Sequence, residues 1–419
     1  MALATIFEKI VGSNANVSFL AYDGSKAGPD GADVTIEVKS PIAVAYLSQA
    51  PGELGLARAY VSGHIDVHGD MYTLLDRMWN ITTNDLTFAE KIDAVRALGM
   101  KPLLMRVPPP PQEMRQSTLA KLGSRHAKQR DAEAIHHHYD VSNRFYEWVL
   151  GPSMAYTCGV YPEQDSSLEE AQFTKFDLVA RKLDLKPGMR LLDVGCGWGG
   201  MVMHAAKHYG VKALGVTLSK QQAEWAQAAI KEAGLEDLAE VRFMDYRDVP
   251  ESDFDAVSSI GLTEHIGAAN VPSYFAFLYG KLRPGGRILN HCITRPTGKE
   301  KTFNKGGFIN RYVFPDGELE SVGWLVRQME DLGFEIRHEE NLREHYCKTL
   351  RAWCDNLDAN WEDAVQEVGM GTARVWALYM AGCIVGFARN KVQLHQVLGV
   401  KLDKEGRSGM PLRPSVTWP

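Results

Sequence analysis

A chain of 419 residues that is 45% apolar and 23% charged has the make-up of a folded enzyme, and it is longer than one hydrophobic core usually organises, so two domains are expected. That composition excludes a disordered or fibrous protein. A formal net charge of -6 excludes a general nucleic-acid binder, because neutralising phosphates needs a basic face.

The six cysteines, Cys158, Cys196, Cys292, Cys347, Cys354 and Cys383, include no C-x-x-C pair, and a chain of this size needs no disulfide framework; both points fit a reducing cytoplasm. The first twenty residues lack a basic head followed by a continuous apolar core, so no secretory signal is expected.

In chain order, the first hundred residues mix a β-like run, Val34–Lys39, with helical patterns such as Met71–Trp79, and carry no phosphate loop, metal cluster or nucleophile motif. Residues 1–106 are therefore expected to form a small α+β accessory domain. Pro108 to Pro111 cannot sit in a helix interior and favour an extended conformation, which marks a boundary. From Met114 to Arg130 the chain carries Arg115, Lys121, Arg125, Lys128 and Arg130 with no acidic residue. Residues 107–135 are expected to be a Pro-rich, basic linker. It reads either as a solvated helix face or as an attraction to anionic lipid, worth about 1 kcal/mol per basic residue near the surface.

Residues 136–419 are expected to form the catalytic domain. Beyond Gly188, strands are predicted at Arg190–Val194, Val211–Val216, Val241–Met244, Phe254–Ile260 and Arg287–Ile293, with a tight turn at Pro284, Gly285 and Gly286 before the last. Helices are predicted at Met201–Tyr209 and Ser219–Ala233, the second opened by a capping box of Ser219 and Gln222. Alternating strands and helices predict an α/β fold with a doubly wound, mostly parallel sheet. The apolar run Val375–Ala388 is short of the roughly 20 residues that cross a bilayer, and predicts a buried helix.

The segment LLDVGCGWGG, Leu191 to Gly200, is an apolar strand running into a glycine turn and a helix start, where a backbone can approach a ligand closely. Its glycines also satisfy the dinucleotide fingerprint. A nicotinamide enzyme, however, wants an acidic residue about 20 positions on, at the end of the second strand, and that place offers Thr217. Asp193, just before the glycines, instead gives the acidic-x-G-x-G form of methyltransferases, where a carboxylate near a cationic sulfonium is electrostatically sensible. An ordinary tight βα turn is the plain alternative.

The stretch HYDVSNRFYEWVLGPSMAYTC, His138 to Cys158, together with LLDVGCGWGG, GVTLSKQQ, GLTEHIG, HCIT and FINRYVFPDGEL, resembles the cyclopropane-fatty-acid synthase family of lipid methyltransferases, in the same order and spacing from about His136 onward. The resemblance implies a Rossmann-like fold that binds S-adenosylmethionine. It places cofactor contacts at Tyr156, Thr157, Asp193, Gly195, Gly197, Thr217, Leu218 and Gln222, and sets Asp245 and Tyr246 against the adenine. It further implies a bicarbonate ion acting as base, held by Cys158, Glu264, His291, the backbone of Ile293, and Tyr346. Tyr139, Phe145, Tyr156, Phe308 and Tyr312 become candidates to face a carbocation.

The substrate implied is the cis double bond of an unsaturated phospholipid acyl chain, met by a peripheral protein at the cytoplasmic face of a bilayer. Family precedent implies a homodimer. Glu147 is an extra carboxylate in a stretch most like the actinobacterial branch that makes 10-methylene chains, precursors of tuberculostearic acid, so a methylene product is expected ahead of a cyclopropane. A methylene product would pass to a separate reductase. Cys383 corresponds to a cysteine once favoured as nucleophile, but alkene methylation needs no thiolate, and its setting reads as core. The rival function is a methyltransferase of a small amine or hydroxyl substrate, and a non-catalytic lipid-binding protein on the same fold is a second.

Overall fold

A computed structural model describes residues 2–12, 15–79, 100–114, 141–298, 306–315 and 317–412. The basic run from Arg115 to Arg130, and Tyr139 with the residues beside it, lie outside them. The chain packs as two compact units.

The first unit comprises Met1–Arg115, Asn304–Pro315 and Asn360–Val385. It holds a four-stranded sheet of β1 (Ser18–Ala21), β2 (Lys26–Ala27), β3 (Thr35–Val38) and β4 (Ile65–His68), in the order β2-β1-β3-β4. Phe19, Val38 and Ile65 are buried with Leu3, Ala43, Tyr46 and Ala59 in its core. An α+β unit was expected, but not its composition, since two late segments belong to it. Buried charge explains why. Arg58 makes a two-pronged ion pair with Glu113, at 2.6 and 2.7 Å, and the Tyr312 hydroxyl donates to the same carboxylate at 3.3 Å. Arg374, 8% exposed, donates to the carbonyls of Tyr60 and Ile65 and to Asp66. A guanidinium taken out of water needs such acceptors, and the N-terminal stretch supplies them. The predicted helix around Val375–Ala388 runs over Met370–Ala388 and buries Trp376, Tyr379 and Met380.

The second unit comprises Gln116–Phe303, Asp316–Ala359 and Gly386–Pro419. Its seven strands are β5 (Arg190–Val194), β6 (Lys212–Thr217), β7 (Ala239–Phe243), β8 (Phe254–Ile260), β9 (Leu282–Thr294), β10 (Phe334–Asn341) and β11 (Gln393–Lys401). They lie in the order β10-β11-β9-β8-β5-β6-β7, and only β11 runs against its neighbours. The doubly wound sheet is as expected, with strand order reversing between β5 and β8, the place where such sheets open a ligand crevice. The turn expected at Pro284 to Gly286 is instead an irregularity inside β9. There the pairing with β8 jumps from Phe254↔Leu282 to Ala256↔Arg287, and Gly285 takes a left-handed φ of 76° to absorb it.

Candidate functional site

At the carboxyl end of β5 the chain turns through Gly195 and Gly197, with φ of 70° and 55°, conformations that glycine adopts without steric cost. A cavity of about 550 Å³, its open mouth included, lies over this turn. Tyr156, Thr157, Asp193, Gly195, Gly197 and Gln222 are among its walls, so six of the ten expected cofactor residues meet there. A Cβ on Gly261, another wall residue, would come within 2.9 Å of Thr157 Cγ2. The absence of a side chain at Gly261 keeps this space open, as a cradle for a ligand such as S-adenosylmethionine requires.

The other four expected residues are not in its wall. The Thr217 hydroxyl donates to Gln222 Oε1 at 2.8 Å and fixes that amide, while Leu218 is half-buried at the end of β6. The expected capping box is half formed: Ser219 Oγ accepts from Gln222 N, but the Gln222 side chain turns to Thr217. Both carboxylate oxygens of Asp245 are engaged by Arg247, and the Tyr246 ring stands edge-on to Tyr274 and Phe277.

A second polar site adjoins the cavity by way of Gly261, whose N–H donates to the His291 carbonyl at 2.8 Å. Glu264 follows three residues later on the short helix Thr263–Ile266, and its Oε1 accepts from Ile293 N at 2.6 Å. His291 and Ile293 share a face of β9 through the two-residue strand period. On the other side, Cys158 Sγ points at the Leu342 carbonyl, 3.8 Å away, and Tyr346 N donates to that same carbonyl at 3.2 Å. Leu342 N in turn bonds Leu394 O, and Leu394 lies opposite Ile293 across the β9–β11 pairing. A short chain of mostly backbone contacts thus links Cys158, Glu264, His291, Ile293 and Tyr346, with Glu264 and His291 the polar nest at its centre.

Glu147 is not part of this nest. It sits on the helix Asn143–Leu150 as an exposed residue, its Oε1 accepting from the Trp225 indole at 3.2 Å, because that helix buries its Phe145, Tyr146, Val149 and Leu150 face instead. Cys383 is half-buried in Met370–Ala388 and belongs to the first unit. Phe308 and Tyr312 also fall in the first unit, where Phe308 N donates to Glu53.

Burial governs the electrostatics. It raises the Glu264 carboxyl to about 7, against a single opposing hydrogen bond from Ile293 and one from its own backbone. It pushes the Cys158 thiol far up and the His291 imidazole far down, so at neutral pH the nest offers a thiol and an uncharged ring. Glu264 Oε2 and His291 Nε2 are buried and have no hydrogen-bond partner among the described residues. Each such atom costs about 1 to 3 kcal/mol, so the nest is built for a small polar guest. A planar oxyanion with one O–H, such as bicarbonate, fits a site that pairs a carboxyl with an N–H.

Residue patterns missed Lys175. It is fully buried on the helix Leu168–Leu183, donates to Thr157 Oγ1 at 2.8 Å, and is drawn down to about 7 by burial. Its field reaches Cys158, Asp193 and His291. Asp193 is itself raised to about 7 by burial, against a 2.5 Å bond from Ser258.

A family model described as mycolic acid cyclopropane synthetase matches residues 126–397. A probable fatty acid methyltransferase of Mycobacterium tuberculosis is 52% identical over 99% of this chain and 98% of its own length. The cyclopropane-fatty-acyl-phospholipid synthase of Escherichia coli is 32% identical over 88% of each chain. Among solved structures, the cyclopropane synthase MmaA2 of M. tuberculosis superposes with a TM-score of 0.61 at 32% identity, covering 64% of this chain and 98% of that one. The mycolic acid cyclopropane synthase CmaA1, solved with S-adenosylhomocysteine, gives 0.60 at 32% identity, covering 64% and 97%. The chain therefore belongs to the mycolic acid cyclopropane synthetase family, as an S-adenosylmethionine-dependent methyltransferase of the fatty-acid and lipid class.

Proposed function

We propose that the chain methylates the cis double bond of an unsaturated acyl chain carried on phospholipid, with bicarbonate in the nest as base, and that the product is a 10-methylene branch. The observation that carries the reading is the pair of orphaned buried atoms, Glu264 Oε2 and His291 Nε2, next to a glycine-walled cavity. A small amine or hydroxyl substrate would need no such pair.

S-adenosylmethionine supplies an electrophilic methyl group on a sulfonium. An alkene is a weak nucleophile, so the protein's share is to align its π face with that methyl in a dry site, which contributes about 7 to 11 kcal/mol. Methylation leaves a carbocation that water would capture. Tyr156 stands 5.3 Å from the Trp353 ring and 5.9 Å from that of Tyr146, an aromatic wall that stabilises a cation without reacting. Glu264, His291, Cys158 and Tyr346 would hold the bicarbonate, which supplies basicity where no side chain of the nest is a strong base. Proton loss from the added methyl closes a ring; loss after a hydride shift leaves a methylene.

Glu147 does not carry the choice between these outcomes. Support for the methylene comes from the likeness of the Phe145–Cys158 stretch to the methylene-forming branch. In this reading the protein works as a peripheral homodimer at the inner face of the cell membrane and hands a methylene product to a separate reductase.

The test is turnover of the full-length protein with S-adenosylmethionine, bicarbonate and dioleoyl phospholipid vesicles. The two products have equal mass, so proton NMR of the released fatty acids separates them. Vinylidene protons are expected. Ring protons alone would overturn the methylene assignment, and unmodified lipid with intact cofactor binding would overturn the substrate.

A further inference from the structure

Behind His291 runs a buried line of side chains in which every hydrogen-bond direction is forced. Lys182, with no exposed side-chain surface, donates from Nζ to Glu340 Oε2 at 2.5 Å and to Gln396 Oε1 at 2.7 Å. Gln396 is fully buried and lies directly opposite His291 across the β9–β11 pairing, with its Nε2 3.2 Å from His291 Nδ1. An ammonium has donors only. It therefore requires the carboxamide oxygen of Gln396 to face it, which turns the NH2 towards the imidazole. Nδ1 must then be an acceptor, and the proton of the neutral ring must sit on Nε2, the buried atom with no hydrogen-bond partner among the described residues.

We propose that Glu340, Lys182 and Gln396 are positioning residues that lock His291 as a neutral Nε2–H donor, so that the ring receives an anion and cannot itself remove a proton. The inference rests on the reading that an oxyanion occupies the nest. The imidazolium is shut out by the same geometry, because an Nδ1–H would oppose the NH2 of Gln396. Glu340 anchors the line at its outer end with a side chain 15% exposed, and fixes the ammonium that sets the polarity. In this arrangement the proton leaving the substrate must go to the bound anion.

The test reads the tautomer directly, by nitrogen NMR of full-length protein labelled in histidine, with His291 assigned from a His291→Gln control. The parent is expected to carry its proton on Nε2. Gln396→Glu keeps the size and the Lys182 contact but offers His291 a carboxylate oxygen, so the proton should move to Nδ1 and turnover should fall about 100-fold, the loss expected for one oxyanion donor, while cofactor affinity is unchanged. Lys182→Met, which frees the amide to flip, should give a mixture of tautomers, and serves if the first variant fails to fold. An Nδ1–H ring in the parent, or an Nε2–H ring retained in either folded variant, would overturn the proposal. Correct tautomers in a protein that never methylates lipid would instead overturn the functional reading alone.

Discussion

Glu264 shows how one side chain joins stability to chemistry. Its carboxyl titrates near 4.5 in an open chain and at about 7 when folded. Between those values the folded protein holds a proton that the unfolded chain has lost, so this group's contribution to stability falls as pH rises through the window and stays low above it. Glu264→Gln removes that slope. The stability of the variant relative to the parent is expected to climb from near zero below the window by an amount on the order of 3 kcal/mol above it. Denaturant melts of cofactor-free protein across the pH range would measure it, and a flat difference would remove Glu264 from the buried site. The same variant is expected to bind S-adenosylmethionine yet methylate no lipid. At this scale the sequence offered candidates only where a residue sits inside a local motif, as Cys158, Glu264, His291 and Tyr346 do. Gln396 was not among them, since its partners Lys182 and His291 are 214 and 105 positions away and only the β9–β11 pairing brings it to them.

The helix Leu168–Leu183 carries a stripe at Ala171, Lys175, Leu178 and Lys182, all buried, at the spacing of one helical face. Two lysines on an otherwise apolar stripe match no motif, and what they serve appears only when Thr157 and Gln396 are seen against them. The helix tolerates them because each ammonium has acceptors, Thr157 for Lys175 and Glu340 with Gln396 for Lys182. Lys175→Met is expected to leave the melting temperature unchanged or higher, because the cost of burying an ammonium vanishes. Cofactor affinity should fall about tenfold as Thr157 in the cavity wall loses its donor, the scale of one charge-assisted hydrogen bond. Calorimetric titration alongside a thermal melt decides it. A destabilised variant with unaltered affinity would make Lys175 a packing residue only.

At the scale of the molecule, the parallel sheet was legible from alternating strand and helix patterns, because each βα unit is contiguous in sequence. The division into units was not, because the residues that bind Asn304–Pro315 and Asn360–Val385 into the first unit are separated from them by more than 190 positions, as Glu113 is from Tyr312 and Asp66 from Arg374. A cut near residue 106, which the proline run invites, would therefore leave part of a unit behind. Without β1 to β4, Arg374 loses the carbonyls of Tyr60 and Ile65 and the carboxylate of Asp66, and Arg58 no longer pairs with Glu113. The fragment 107–419 keeps every residue of the cavity and the nest, so any loss of behaviour comes from the uncovered segments. It is expected to bind a hydrophobic dye, to elute as aggregate in size-exclusion chromatography and to melt below the intact chain, since Trp376, Tyr379 and Met380 would face water. A monodisperse fragment with the parent's melting temperature would mean that the late segments fold against the catalytic sheet by themselves, and that the proline run is a true domain boundary.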